Sequence, residues 1–119
     1  DNVLICHCTD CQKLSGSAFR TVVSSEVDAF TFNTGEPKVY VKTGDGGGKR
    51  VQTFCENCGS PIISAVVGPA EWEGIKFIKA GSLDDSSWII VGASIWKSTA
   101  THWSPAEAGL TTFEHNLEG

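Results

Sequence analysis

The placement of the cysteines constrains this chain more than any other feature. Three of its five cysteines crowd into Cys6-His7-Cys8-Thr9-Asp10-Cys11, and the other two form Cys55-Glu56-Asn57-Cys58-Gly59. An odd count argues against a fully paired disulfide framework, and partners so close in sequence meet disulfide geometry with difficulty. The same spacings suit several sulfurs converging on one ion. In a reducing compartment metal is the favoured reading. Zinc takes four ligands in a tetrahedron, with sulfurs about 2.3 Å from the ion, so two ligands close in sequence must come from a tight turn. Cys55-x-x-Cys58-Gly59 offers half such a site, and Gly59 can take the positive φ that closes it. Cys-x-Cys-x-x-Cys offers three sulfurs from one short loop. Three protein ligands with an exchangeable fourth position is the arrangement of catalytic zinc. Two blander alternatives stand beside these readings. Cys55 and Cys58 would serve as a redox dithiol, although no strand-to-helix transition of the thioredoxin kind surrounds them. The first cluster would be purely structural if His7 or a cysteine of the second cluster supplied a fourth ligand.

With 119 residues the chain has the size of one ordinary domain, and residues 1–119 are expected to fold as a single zinc-binding unit. A net charge of −5 with nine Lys and Arg and no basic run would repel a phosphate backbone, so nucleic acid is not an expected partner. No apolar run approaches the roughly 20 residues that span a bilayer, and the first residues lack the features of a signal peptide. No membrane partner is expected, and the location reads as cytoplasmic.

Apolar alternation and β-branched residues predict strands at residues 1–5, 18–23, 29–33, 39–41, 50–54, 61–67, 75–80 and 92–96. Residues 24–28 read as a turn, Gly35-Glu36-Pro37 as another, and Gly44-Asp45-Gly46-Gly47-Gly48 as a loop with no phosphate-cradle pattern. No segment of a dozen residues keeps a helical period, so the fold class is all-β with little helix. Each cysteine cluster then sits at a strand end. The tail from Trp103 reads as irregular chain, and His102 and His115 within it receive no role. Lys13, Ser15 and Ser17 read as turn residues, Asp84-Asp85 as a strand-end turn, and Trp88, Trp96 and Trp103 as core packing.

The run from Cys6 through Gln12-Lys13-Leu14-Ser15-Gly16-Ser17-Ala18-Phe19 resembles the signature of the family of glutathione-dependent formaldehyde-activating enzymes and centromere protein V. The likeness continues in order through Phe54-Cys55-Glu56-Asn57-Cys58-Gly59-Ser60-Pro61-Ile62, Ala80-Gly81-Ser82-Leu83-Asp84-Asp85 and Ile95-Trp96 with Trp103. The resemblance implies a β-tent, antiparallel sheets folded over zinc. It implies Cys6, Cys8 and Cys11 as ligands of a catalytic zinc, and Cys55 and Cys58 as half of a structural zinc site. In the family the other half comes from a Cys-x-Cys-Gly segment upstream, and this sequence starts after that point. The expectation is a longer parent chain or a trimmed N-terminus, because a structural zinc contributes on the order of 10 kcal/mol to folding. The implied activity is that of a carbon–sulfur lyase joining glutathione and formaldehyde into S-hydroxymethylglutathione, with a small-molecule thiol as substrate. The alternative is a zinc-stabilised binding module without chemistry, a use to which a guanine-nucleotide release factor puts the same tent. Loss of strands would leave an open sheet edge, through which a homodimer would form.

Overall fold

In Val3-Leu4-Ile5-Cys6 three side chains are buried and that of Leu4 half-buried, the pattern of a strand covered on both faces. In the computed structural model, which describes residues 3–25, 37–43, 49–67, 75–105 and 109–115, this strand is β1. The elements that follow are α1 (Thr9–Ser15), β2 (Arg20–Ser25), β3 (Lys38–Thr43), β4 (Lys49–Phe54), β5 (Pro61–Val67), β6 (Lys76–Lys79), β7 (Ala93–Ile95) and β8 (Thr111–Thr112), with 3-10 turns at Ala80–Ser82 and Lys97–Thr99. The described residues are therefore mostly strand with one short α-helix, as the all-β expectation requires. The chain divides into two compact units, Asp1–Val23 with Leu83–Gly119, and Ser24–Ser82.

In the first unit the strands lie in the order β2-β1-β7-β8. β1 pairs antiparallel with β2, bringing Cys6 opposite Arg20, and parallel with β7, bringing Cys6 beside Ile95. β7 pairs parallel with β8 as well, so antiparallel pairing does not hold throughout. The reason is connectivity: parallel neighbours need a long crossover, and after β2 has paired with one edge of β1 the chain does not reach the other edge until residue 93. Val3, Ile5, Ala18, Val22, Val23 and Ile95 are buried, together with Cys6 and Cys11.

The helix α1 stands where a loop was expected. Cys8 adopts an extended conformation and caps it, its sulfur accepting from the Cys11 amide. Asp10 in the first turn complements the positive helix end, and Gly16, at φ 65°, closes the last turn by donating to the Gln12 carbonyl. Ser15 caps backbone as expected, its hydroxyl reaching the carbonyls of Gln12 and Phe19 and accepting from the Ser17 amide. The described part of the tail, 109–115, is tied to the body more closely than its sequence suggests. Beyond β8, the amides of Trp96, Lys97 and Ser98 donate to the carbonyls of His115, Phe113 and Glu114. Trp88 and Trp103, expected in the core, are 54% and 60% exposed, and the Trp88 indole N–H ends on the Asp85 carbonyl. Asp85 makes the expected turn by accepting from the Ser87 amide and hydroxyl, and these two bonds hold its carboxyl below the usual range.

In the second unit β3, β4, β5 and β6 pair antiparallel in chain order. Thr53 and Ile63 face each other across β4 and β5 and are buried, as are Gln52 and Ser64, the pair beside them. Lys79 is buried too, its ammonium donating to Ser64 Oγ at 2.6 Å. The register shifts between Thr53 and Phe54, just before Cys55. Ser24 and Ser25, expected in a turn, extend β2. The expected strand at 29–33, the Gly35-Glu36 part of the next turn and the loop at 44–48 lie outside the described residues.

Candidate metal centre

The last residue of β1 is Cys6, the residue capping α1 is Cys8, and the third residue of that helix is Cys11. A strand running directly into a helix cap turns the chain sharply. Cap and helix residues three apart then share one face. The outcome is a cluster in which the sulfurs of Cys6, Cys8 and Cys11 all lie within 4.8 Å of one another. Tetrahedral zinc with sulfurs at about 2.3 Å needs sulfur–sulfur separations of roughly 3.8 Å, so the set fits a thiophilic ion after a small contraction. Cys6 and Cys11 are buried with Ile95, and Leu4, Trp96 and Phe113 pack against them, while Cys8 is half-buried.

His7, the candidate fourth ligand, plays a different part. Its side chain is wholly buried and its ring meets Phe19 edge-on at 5.3 Å. Among the described residues the group of ligand atoms contains the three cysteines without it. Its backbone holds the loop: the amide donates to the Ile95 carbonyl, and its own carbonyl accepts from Gln12 Nε2 at 2.8 Å and Thr99 Oγ1 at 3.0 Å. Gln12 Nε2 also donates to the Thr99 carbonyl at 3.0 Å, completing a three-way clamp. Sequence reading passed over Gln12 and Thr99, because nothing near residue 12 signals a partner 87 residues away.

Three sulfurs this close share protons. Cys11 is held below the ordinary thiol value, first by hydrogen bonds from Cys6 and Cys8 and then by the charge and hydrogen bond of Arg20. Cys6 and Cys8 are pushed up, chiefly because each donates its proton toward Cys11. A dication favours the all-thiolate form that the three sulfurs cannot reach among themselves.

Cys55 and Cys58 lie in the other unit, on the turn after β4. The Cys55 amide donates to the Ser60 carbonyl, the Gly59 amide donates back to the Cys55 carbonyl, and Gly59 takes φ 76°. That closure aims the amides of Cys58 and Asn57 at the Cys55 sulfur, which lowers its pKa. Donors aimed at an anionic sulfur are what a metal-holding turn provides. Cys55 is half-buried and Cys58 exposed.

One strained residue adjoins the cluster: Trp96 sits at φ 59°, which a bulky side chain rarely adopts. Its ring meets His115 edge-on at 5.0 Å, so that tail histidine does have a packing role.

Among the described residues no helix is long and apolar enough to cross a membrane. No curated protein is similar enough to match the chain. The profile described as "Glutathione-dependent formaldehyde-activating enzyme" matches residues 1–103, which include both cysteine clusters and the strands that carry them. With most of its length so matched, the chain belongs to the glutathione-dependent formaldehyde-activating enzyme family.

Proposed function

We propose that this chain is a zinc-dependent carbon–sulfur lyase, similar to S-hydroxymethylglutathione synthase, acting on the adduct of glutathione or a related thiol with formaldehyde or another small carbonyl. The observation that carries this reading is the convergence of three ligand atoms, and not four, from Cys6, Cys8 and Cys11 among the described residues. In this reading those three cysteines hold the catalytic zinc, and Cys55 and Cys58 supply half of a second, structural site. Zinc held by Cys6, Cys8 and Cys11 would supply positive charge to a substrate sulfur or oxygen. The chain's own part is to hold the sulfurs through the His7 carbonyl clamp and to keep one side of the centre dry with Ile95, Trp96 and Phe113. In the synthetic direction the thiol sulfur bonds to the carbonyl carbon and the thiol proton ends on the oxygen. A cytoplasmic location goes with this reading, because a reducing compartment keeps the thiols available for metal.

The test is formation of the adduct from formaldehyde and glutathione, followed by NMR with zinc-loaded chain. Acceleration over the uncatalysed rate is expected, and Cys8→Ser should abolish it. Undiminished turnover in that variant would sink the proposal. A second reading, a zinc-stabilised binding module, draws support from exposed Trp88, Ile90 and Trp103. The absorption spectrum of cobalt-substituted protein separates the two: a three-sulfur centre that responds to added thiol favours the enzyme, and a saturated four-sulfur centre favours the module.

A further inference from the structure

Arg20 brings a permanent positive charge to the sulfur cluster. It opens β2 directly across from Cys6 in the antiparallel register, and its Nε is out of contact with solvent. Directly opposed residues of an antiparallel pair share one face, so its side chain lies on the same side as that of Cys6, whose sulfur is within 4.8 Å of those of Cys8 and Cys11. The β1–β2 ladder and the β1–α1 turn thus aim one cation at a cluster of potential anions. Arginine does not lose its proton under any ordinary condition, so this charge is always present.

On the zinc reading, three thiolates around a dication leave one net negative charge. Adding a substrate thiolate raises it to two. In a partly buried setting such charge is poorly screened, and a neighbouring cation offsets it. We propose that Arg20 is a positioning residue of the metal centre, standing across from Cys6 on the cluster's face and cancelling one unit of its negative charge, which admits a further anionic ligand of the thiolate class. This rests on the zinc reading above and adds to it a residue outside the ligand set.

The test measures zinc affinity of the full chain by competition with a chromophoric chelator, for wild type, Arg20→Lys, Arg20→Gln and Arg20→Met. Removing an outer partner of a metal ligand costs about ten- to hundredfold in affinity. Arg20→Met should show that loss, Arg20→Lys should recover most of it, and Arg20→Gln, which keeps a donor but no charge, should fall between them. If Arg20→Met fails to fold, the comparison of Lys with Gln carries the same contrast. A second readout titrates cobalt-loaded protein with 2-mercaptoethanol, where the neutral variants should need about tenfold more thiol to reach the same spectral change.

Wild-type affinity in Arg20→Met or Arg20→Gln would overturn the proposal. So would equal losses in Lys, Gln and Met, which would mean that Arg20 acts through packing alone. A wild-type chain that binds zinc but whose cobalt spectrum ignores added thiol counts against the lyase, while the zinc affinities still decide the role of Arg20. A wild-type chain that takes up no zinc overturns both.

Discussion

Gln12→Ala and Thr99→Val, singly and together, probe the clamp on the His7 carbonyl. Gln12→Ala removes a part-buried bond to that carbonyl and an exposed one to the Thr99 carbonyl. At about 1 kcal/mol for the first and a few tenths for the second, the expected cost is roughly 1.5 kcal/mol. Thr99→Val keeps the shape of the side chain while removing its bonds to the carbonyls of His7 and Trp96, the latter exposed, at about 1 kcal/mol. Each single change leaves the His7 carbonyl one of these two donors. The double change strips both from a residue with 0% exposure, adding a desolvation cost of about 1–3 kcal/mol. The double-mutant cycle should therefore show a coupling of about 1–2 kcal/mol. Urea unfolding of the metal-free, reduced protein measures it. Additivity within about 0.5 kcal/mol would refute the clamp as the element that holds the Cys6–Cys8 spacing.

Three further outcomes are expected. Gly59→Ala should destabilise by about 1–2 kcal/mol purely through backbone strain at φ 76°, because a Cβ there meets nothing within 4 Å; an unchanged midpoint on thermal melting would contradict it. Trp96→Gly relieves a positive φ but strips the indole from Cys6, Cys11 and Ile95, so a net loss of about 2 kcal/mol should appear in the same melt, and a raised midpoint would overturn the packing account. Cys55 has its pKa lowered by the folded turn, so its stabilising contribution is present above the unfolded thiol value and fades as pH falls through the lower folded one. Alkylation of metal-free protein by iodoacetamide, read by mass spectrometry, should half-saturate at lower pH for folded than for unfolded Cys55, and identical profiles would refute the effect.

Most of the strands and the clustering of Cys6, Cys8 and Cys11 were legible because their signals are local. Val3-Leu4-Ile5, Val22-Val23 and the run from Pro61 are short apolar stretches rich in β-branched side chains, and Cys6, Cys8 and Cys11 lie within six residues of chain. The helix α1 was not legible. Seven residues give barely two turns, too few for a period to register, and its cap is a cysteine, an unusual capping residue. The parallel pairing of β1 with β7 was hidden for a different reason: register between Leu4 and Ala93 depends on packing across the whole chain and leaves no mark near either residue. Thr99, which follows β7, reaches the His7 carbonyl through that same register, and Arg20 reaches the cluster through the β1–β2 pairing. Trp88 and Trp103 misled because large apolar residues need not be buried.

The first unit is discontinuous, made of residues 1–23 and 83–119. During synthesis its three sulfurs leave the ribosome well before Ile95, which packs against Cys6 and Cys11, and Thr99, which holds the His7 carbonyl. At roughly 5–20 residues per second the intervening chain takes on the order of 4 to 16 s to make. For that interval the triplet is an exposed, flexible thiol peptide, open to oxidation and to any thiophilic ion at hand. On the zinc reading, the filling of the centre then depends on the zinc supply during translation as well as on the affinity of the finished fold.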